Sequence, residues 1–411
     1  MKAVTVDEAL HLWNEVLEIQ HHRMESVAVS AAKGSVLAED IVASTDVPAF
    51  HKSAMDGYAL AYDPNCGEYI IDGIIGAGVV WDTPVTTGHA VRIMTGAPVP
   101  ETCDTVIMQE QAQGSGEIGS RITIQGTQQK GSHIIPRGEE CLAGTVVIPK
   151  GTEVTSAVQT ILTGLGYIDV SVYAMPRILV LTSGHEVIEP GEPLTTGKIY
   201  NSNRMMIYSL LDDLGFRHVT QYHVSDAPDR LDVEIARVLE LSEQADIIIS
   251  SGGVSVGMFD TMPLIYEKLG AKTLYERIQM RPGAASYGAV TPKGQLIFGL
   301  SGNPGAAFNG WHLLVVSTLR RYKGIKNWST PVLNCVMDCD LSKRNAFDRY
   351  VQGKVIFGDR QPRFVANRHF NSSSMLGLYT VNALACIPQG VHEVRSGDTF
   401  NVYLLGLLPA I

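Results

Sequence analysis

The chain contains 411 residues, of which 45% are hydrophobic and 18% are charged, and its formal net charge is −10 at pH 7. At about 150 residues per domain, this length predicts two to four domains. The low charged fraction excludes a disordered polyampholyte, and the acidic balance argues against a nucleic-acid or anionic membrane surface over the whole chain.

The first predicted elements are a helix and a β-rich region. Thr5-Val6-Asp7-Glu8 has the form of a capping box, and apolar residues continue at helical spacing to Leu17. From about Val27 to Pro149, short strands alternate with glycines, and no long helical pattern occurs. A second helix is predicted over 155–165, where glycines end it.

From Pro176 onward, strands and helices alternate, which predicts a mostly parallel sheet with helices on both faces. Ser202 or Asn203 is the expected cap of the first of these helices, and Gly215 is its expected end. After Lys326 only strands are predicted, which indicates a small β domain. The predicted strands with their following loops cover 177–186, 218–226, 245–257 and 295–308, and the helices cover 201–216, 228–243, 262–269 and about 303–321.

Three strands of this α/β region end in loops rich in Ser, Thr and Gly. Ligands in open α/β sheets bind at the carboxyl ends of strands, where helix N-termini and bare backbone amides accept phosphate. We therefore predict a phosphate cradle there, although glycine also serves ordinary tight turns. No loop has the spacing of a P-loop or of G-x-G-x-x-G, and Pro304 is expected to begin a helix that Asn303 caps. The candidate binding residues are Ser183, Gly184, Ser251, Gly252, Gly253, Ser255, Gly302, Asn303 and Pro304.

Charged residues accompany these loops. Glu186, Asp226 and Asp260 follow the strands, and carboxylates beside a phosphate cradle typically hold Mg²⁺. The alternative is that each carboxylate only stabilises a helix N-terminus. Arg277 and Arg281 could bind an oxyanion in a bidentate manner, or they could be solvated arginines around a turn.

The β-rich region has its own polar cluster. His51, Lys52, Ser53 and Asp56 lie within six residues of one another, just before a glycine. Neighbouring turns contribute further polar side chains, namely Thr95, Arg137, Glu139 and Glu140. Such residues are often only turn formers, but the mixture of bases and acids suggests a site for a charged, polar ligand.

Several motifs resemble those of the molybdopterin molybdenumtransferase family, to which the C-terminal part of gephyrin also belongs. They are DVPAFHKSAMDGYA, RIMTGAPVP, PRGEE, SSGGVSVG and the GNP of GLSGNP, which occur in the family's order over essentially the whole chain. The resemblance implies a multidomain α/β plus β protein with a doubly wound, molybdopterin-binding α/β domain. The implied parts are an extended helix-containing domain (1–45 and 141–176), an inserted β-rich lobe (46–140), the α/β domain (177–326) and a C-terminal β-barrel domain (327–411).

The resemblance also implies a reaction. Molybdate is inserted into adenylylated molybdopterin with the help of Mg²⁺, and AMP is released. The implied enzyme is a homodimer whose active site combines one subunit's α/β domain with its partner's β-rich lobe, and a molybdopterin adenylyltransferase is the upstream partner. The candidate catalytic residues are Asp56, Thr95, Arg137, Glu140, Asp226, Arg277 and Arg281, the candidate metal ligands are Glu186 and Asp260, and Arg349, Ser372 and Ser373 are further candidates for substrate binding.

The sequence departs from the family pattern at the end that holds molybdate. Where members of the family usually have K-P-G-K-P, this chain has R-P-G-A-A at 281–285, so that the uncharged Ala284 replaces a lysine. Where they usually have L-P-G-N-P-V-S, this chain has Ser301 in place of the first proline and Ala306 in place of the serine. A usual T-G-D-E contains His185. Loss of one cationic side chain weakens the binding free energy of an oxyanion by about 1.5–3 kcal/mol. Two alternatives therefore stay open: a divergent paralogue that carries molybdopterin or its nucleotide without inserting metal, and an Mg²⁺-dependent phosphohydrolase.

The compartment is expected to be the cytoplasm. The amino-terminal segment lacks the apolar core of a signal peptide, and no apolar run reaches about 18 residues, so no membrane span is expected. The six cysteines are scattered and include no C-x-x-C pair, which predicts free thiols in a reducing environment.

Overall fold

The computed structural model describes residues 3–19, 23–253, 261–342, 346–358, 361–368 and 371–406. The chain divides into two compact units: the first comprises 1–38, 151–156 and 169–411, and the second comprises 39–150 and 157–168. Within the described ranges, no helix combines the length and the apolar character needed to cross a membrane. All six cysteines have free thiols, as predicted.

Short strands dominate the amino-terminal part of the chain, strands alternate with helices in its middle, and strands return at its end. The chain begins with β1 (Ala3–Val4), α1 (Val6–Ile19) and β2 (Met24–Ala28). The strands that follow are β3 (Ile41–Val42), β4 (Lys52–Ser53), β5 (Gly57–Leu60), β6 (Glu68–Ile75), β7 (His89–Ile93), β8 (Thr105–Met108), β9 (Ala112–Gln113), β10 (Arg121–Ile124), β11 (Ile134–Ile135) and β12 (Val146–Ile148). The middle of the chain contains α2 (Ser156–Gly164), β13 (Asp169–Tyr173), β14 (Ile178–Ser183), β15 (Val187–Ile188), β16 (Ile199–Tyr200), α3 (Ser202–Asp213), β17 (Val219–Val224), α4 (Leu231–Ser242), β18 (Ile247–Ser251), α5 (Met262–Lys268), β19 (Lys272–Tyr275), β20 (Arg277–Ile278), β21 (Met280–Arg281), β22 (Tyr287–Val290), β23 (Leu296–Leu300), α6 (Pro304–Gly310) and α7 (Val316–Tyr322). The last strands are β24 (Val332–Met337), β25 (Leu341–Ser342), β26 (Asp348–Ile356), β27 (Arg363–Ala366), β28 (Ala383–Ile387), β29 (Glu393–Val394) and β30 (Thr399–Leu404).

The second unit is built on a six-stranded sheet in the order β8-β5-β7-β6-β10-β9. Along β6, Tyr69, Ile71 and Ile75 are buried, whereas Glu68 and Asp72 are exposed. Alternation with a period of two places one side of the strand in the core, as a half-buried sheet requires. The expectation of a β-rich region is confirmed.

The α/β part of the first unit contains a sheet in the order β17-β14-β18-β23-β22-β19, in which the first four strands are parallel. Ile178 and Val180 belong to one core with Trp13 of α1, whereas Leu179 and Leu181 belong to a second core that includes residues of α4 and α5. Because successive side chains point to opposite faces, strand β14, which is buried along its whole length and apolar from Ile178 to Leu181, is covered by helices on both sides. The doubly wound fold is confirmed.

Helix starts agree with the sequence only in part. The capping box at α1 is confirmed, since Thr5 and Glu8 exchange hydrogen bonds of 2.7 and 3.2 Å. The expected cap of α3 was wrong: the side chain of Asn201 accepts the hydrogen bond from the Arg204 N–H. Pro304 does begin α6, but Asn303 occupies the cap position without a side-chain hydrogen bond.

The C-terminal strands form a closed five-stranded barrel. β26 pairs with β27 on one side and with β28 on the other, and β24 and β30 complete the circuit. Gly353 of β26 permits the close packing, because a Cβ there would lie 2.3 Å from the carbonyl oxygen of Val365. Closure removes free strand edges, and it confirms the expected β barrel.

Candidate functional site

A cavity of about 540 Å³ opens at the carboxyl ends of β14, β18 and β23. We call it the strand-end pocket. Because these strands are parallel neighbours, their terminal loops meet at one edge of the sheet. The described residues that line it are 182–187, 199–203, Asp226, 251–253, Ala285 and 301–304.

Glycine is required where the β18 loop meets the end of β14. Gly252 and Gly253 have φ values of +88° and +60°. A Cβ on Gly252 would lie 2.7 Å from the Ser183 carbonyl oxygen, and one on Gly253 would lie 2.5 Å from Ser183 Oγ. The bare backbone therefore forms part of the pocket wall, and its role as a phosphate cradle stays a prediction.

Asn203, in the first turn of α3, forms hydrogen bonds to two of these loops. Its Nδ2 donates hydrogen bonds of 2.8 Å to Ser251 Oγ and to the Gly302 carbonyl oxygen. Its Oδ1 is buried without a hydrogen-bond partner among the described residues, and so is Ser183 Oγ. Sequence reasoning treated Asn203 only as a helix cap. The signal that could have identified it is a second Asn in N-S-N, since one of the two caps the helix and the other is free for the pocket.

A group of potential metal ligands lies in the same pocket. One ligand atom from each of His185, Glu186 and Asp226 lies within 4.8 Å of the others. His185 Nδ1 is 3.6 Å from Asp226 Oδ1 and 3.8 Å from Glu186 Oε2. Asp226 Oδ1 is buried and has no hydrogen-bond partner among the described residues. Two carboxylates and one imidazole are donors that suit a divalent cation, so the residues fit a metal ion.

Gly184 allows the carboxylate of Glu186 to approach this group. Its φ is +137°, and a Cβ would lie 2.7 Å and 2.8 Å from the two carboxylate oxygens of Glu186. The carboxylate is thus folded back over the bare backbone. The structure thereby brings together Glu186 and Asp226, which were predicted, with His185, whose role the sequence left open. The predicted residues Ser255 and Asp260 lie outside the described residues.

The described lining residues include no Lys or Arg. Arg277 and Arg281 are exposed in β20 and β21 and are not among those residues, so their catalytic roles stay predictions. In the loop that follows, Ala285 lines the pocket and Ala284 does not.

The barrel contributes a serine-rich loop to the start of α6. We call residues 371–374 the serine loop. The Ala306 N–H donates a 3.0 Å hydrogen bond to the Ser372 carbonyl oxygen, and Gln352 Nε2 donates a 2.8 Å bond to the Gly305 carbonyl oxygen. Ser372 therefore contacts the first turn of α6, the helix that begins at Pro304 in the pocket lining, whereas the binding roles of Ser372 and Ser373 stay predictions. Arg349 lies in β26, where burial lowers its pKa.

The second unit contains the other predicted polar residues. Asp56 Oδ1 accepts hydrogen bonds of 2.7 Å from the Thr95 N–H and 2.8 Å from the Thr95 hydroxyl, and these bonds lower the pKa of Asp56. Arg137 Nε donates a 2.5 Å hydrogen bond to Asp46 Oδ2. Hydrogen bonds from the Ala143 N–H and from Arg137 lower the pKa of Asp46.

Asp46 and Glu140 also form contacts within this unit. Asp46 was not singled out from the sequence, although it opens the motif that contains Asp56. Glu140 is exposed, and its backbone N–H donates to the Val47 carbonyl oxygen. The structure thus pairs Asp56 with Thr95 and Arg137 with Asp46.

Comparison with known proteins gives matches over nearly the whole chain. The MoeA N-terminal region (domains I and II) matches residues 4–166, a probable molybdopterin-binding domain matches 179–321, and the MoeA C-terminal region (domain IV) matches 334–405. A protein of Bacillus subtilis (strain 168) named molybdopterin molybdenumtransferase is 35% identical, covering 98% of this chain and 94% of its own length. The chain belongs to the MoeA family.

Further MoeA relatives extend the comparison. A molybdopterin molybdenumtransferase of Staphylococcus aureus (strain MRSA252) is 34% identical over 92% of this chain and 90% of its own length. The crystal structure of a molybdopterin biosynthesis MoeA protein from Pyrococcus horikoshii OT3 has a TM-score of 0.80 and 25% sequence identity, and the match covers 98% of this chain and 100% of that one. The multidomain α/β plus β architecture is therefore that of the MoeA family.

Proposed function

We propose that this MoeA family member is a transferase of molybdenum cofactor biosynthesis that inserts molybdate into adenylylated molybdopterin and releases AMP. The observation that carries the proposal is the strand-end pocket, in which three glycine-rich loops meet a His–Glu–Asp group. The chain is similar over nearly its full length to proteins named molybdopterin molybdenumtransferase.

The pocket offers backbone and hydroxyl donors to the phosphate groups of such a substrate. Gly252 and Gly253 expose their backbone, and Pro304 begins a helix whose positive end faces the same cavity. Ser183 Oγ, buried without a hydrogen-bond partner among the described residues, is available to a ligand. These groups would orient the pyrophosphate while the bond to AMP is broken.

Glu186 and Asp226 would hold a divalent cation, for which the sequence indicates Mg²⁺, with Asp260 as a further predicted ligand. When bound there, such a cation would neutralise negative charge on the departing phosphate. The described lining residues include two carboxylates and no Lys or Arg, so a bound cation would offset the repulsion between these carboxylates and a phosphate.

The finer features of the proposal come from the family resemblance. They are a homodimer in which Asp56, Thr95, Arg137 and Glu140 of one subunit act on substrate held by the other, a cytoplasmic location, and an upstream molybdopterin adenylyltransferase. Within one chain, the hydrogen bonds that Thr95 donates lower the pKa of Asp56 and so favour its ionised form.

The second candidate is a carrier that binds molybdopterin or its nucleotide without inserting metal. The lack of a cation among the described lining residues, with Ala285 in the wall, favours it. The test incubates the purified chain with adenylylated molybdopterin, molybdate and a divalent cation, and it measures AMP together with protein-bound molybdenum. Release of both supports the transferase. AMP alone indicates a phosphohydrolase, and tight binding without AMP indicates the carrier.

A matched pair of variants tests whether AMP release depends on the strand-end pocket. Asp226→Asn removes a charge from the pocket, whereas Asp229→Asn removes one from an exposed residue in the same loop. We expect AMP release to fall strongly only in the first variant. An equal loss in both would remove the support that the His–Glu–Asp group lends to the proposal.

A further inference from the structure

We infer that the His185–Glu186–Asp226 cluster selects a first-row transition-metal dication over Mg²⁺, because His185 supplies an imidazole nitrogen as a ligand. The inference rests on the proposed function, since it concerns the identity of the cation in the strand-end pocket. It differs from the Mg²⁺ that the sequence indicates.

The spacing of the donor atoms suits a single ion. Two ligands that are each about 2.1 Å from one metal lie about 3.0–4.2 Å apart, depending on the angle between them. The distances from His185 Nδ1 to Asp226 Oδ1 (3.6 Å) and to Glu186 Oε2 (3.8 Å) fall inside that range. The three ligand atoms all lie within 4.8 Å of one another, so small side-chain movements would bring them onto one ion.

Independent features show that the cluster is built rather than incidental. The Asp226 side chain is only 14% exposed, yet its Oδ1 has no hydrogen-bond partner among the described residues. A buried acceptor of this kind is costly without a partner. Gly184 is the residue type that permits the Glu186 carboxylate to fold inward. Lys198 Nζ donates to the His185 carbonyl oxygen, which fixes the backbone that carries the imidazole.

The choice of ion follows from ligand chemistry. Mg²⁺ is bound by oxygen ligands and retains much of its water, whereas imidazole suits transition-metal ions. The ammonium group of Lys198 lowers the affinity for every dication equally, so it does not alter the preference between them. His185 therefore decides selectivity, and the two carboxylates supply the affinity that any dication shares.

The test uses Mn²⁺ and Mg²⁺ as probes of the full-length chain without substrate. Calorimetric titrations give the ratio of the two affinities for wild type, for His185→Asp and for His218→Asp, a control on an exposed histidine outside the pocket. We expect His185→Asp to lower the Mn²⁺/Mg²⁺ ratio about tenfold or more, with no change in the control. Pulsed EPR of bound Mn²⁺ should show a ¹⁴N coupling in wild type and in His218→Asp, and none in His185→Asp.

The outcomes separate this inference from the proposed function. An unchanged affinity ratio in His185→Asp, or bound Mn²⁺ without nitrogen coupling in wild type, overturns the inference while AMP release is still measured independently. Nitrogen coupling without AMP release supports the inference and contradicts the transferase. If neither ion binds, the cluster alone is not a metal site and the inference fails, whereas AMP release still decides the transferase.

Discussion

The packing of the serine loop against α6 depends on the absence of a side chain at Gly305. A Cβ at this position would lie 2.8 Å from the Asn371 carbonyl oxygen, 2.9 Å from that of Ser374 and 3.2 Å from that of Ser372. All three are backbone atoms of one loop, so none can move aside by changing a rotamer. Gly305→Ala must therefore push the whole loop away from the helix.

Two opposing effects determine the magnitude. Alanine is favoured over glycine in a helix by about 1 kcal/mol. Overpacking a well-filled site costs about 1–3 kcal/mol, and three opposing backbone atoms place Gly305→Ala at the upper end of that range. We expect a net loss of about 1–2 kcal/mol, because the loop must retreat by roughly 0.5 Å and weaken the bond from the Ala306 N–H to the Ser372 carbonyl oxygen.

Thermal unfolding and substrate affinity measure the effect, and Gly310→Ala is the matched control. Gly310 is buried in the same helix, but a Cβ there would meet side-chain atoms of Leu300 at 3.0 Å and of Ser286 at 3.4 Å, which can adjust. At about 2–4 °C per kcal/mol, Gly305→Ala should lower the unfolding midpoint by several degrees, with weaker nucleotide binding. A Gly305→Ala protein as stable as Gly310→Ala, with unchanged affinity, would refute this account of the loop.

The metal cluster, the buried His312 and the wall of the strand-end pocket each give a further prediction. Gly184→Ala should weaken Mn²⁺ binding in calorimetry far more than Gly191→Ala, because only the first Cβ meets a carboxylate while both positions have positive φ; equal losses would contradict this. Burial lowers the pKa of His312 to about 3. Below about pH 6.5, His312 therefore binds a proton in the unfolded chain but stays neutral in the folded chain. Stability should fall by about 2 kcal/mol from pH 7 to pH 5, and His312→Gln should flatten that dependence in thermal melts; an unchanged slope would contradict it. Ala285→Lys should raise molybdate affinity in equilibrium dialysis by about tenfold or more, and more than Ala284→Lys does, since Ala285 lines the pocket; a larger gain from Ala284→Lys would show that the loop faces the other way.

Local patterns were sufficient for much of the fold. The apolar run of β14 and the helical spacing of apolar residues in α1 predict their burial, because apolar side chains that recur on one face pack into the core. Boundaries were harder to predict. The sequence pattern favoured Ser202 or Asn203 as the N-cap of α3, but Asn201 is the N-cap. The side chain of Asn203 instead forms hydrogen bonds to the loops that follow β18 and β23.

Some residues of the strand-end pocket could likewise be predicted from the sequence, and others could not. Ser183, Gly252 and Gly302 could be predicted because parallel strands present their terminal loops at one edge, whatever the details of packing. The grouping of His185 with Asp226, which is 41 residues away in the chain, depends on the adjacent placement of β14 and β17. The role of Arg281 in binding an oxyanion stays a prediction, and in the loop after β21 the fold places Ala285 in the pocket wall.

The sequence by itself determined the type of each element, the alternation of strand and helix, and the glycine-rich loops, because each depends on residues close together in the chain. Only the tertiary structure decided which polar atoms meet. It left Asp226 Oδ1 and Asn203 Oδ1 without hydrogen-bond partners among the described residues. It also set the serine loop on Gly305. These contacts join residues distant in sequence, and their distances depend on the packing of whole sheets and helices, which no local pattern encodes.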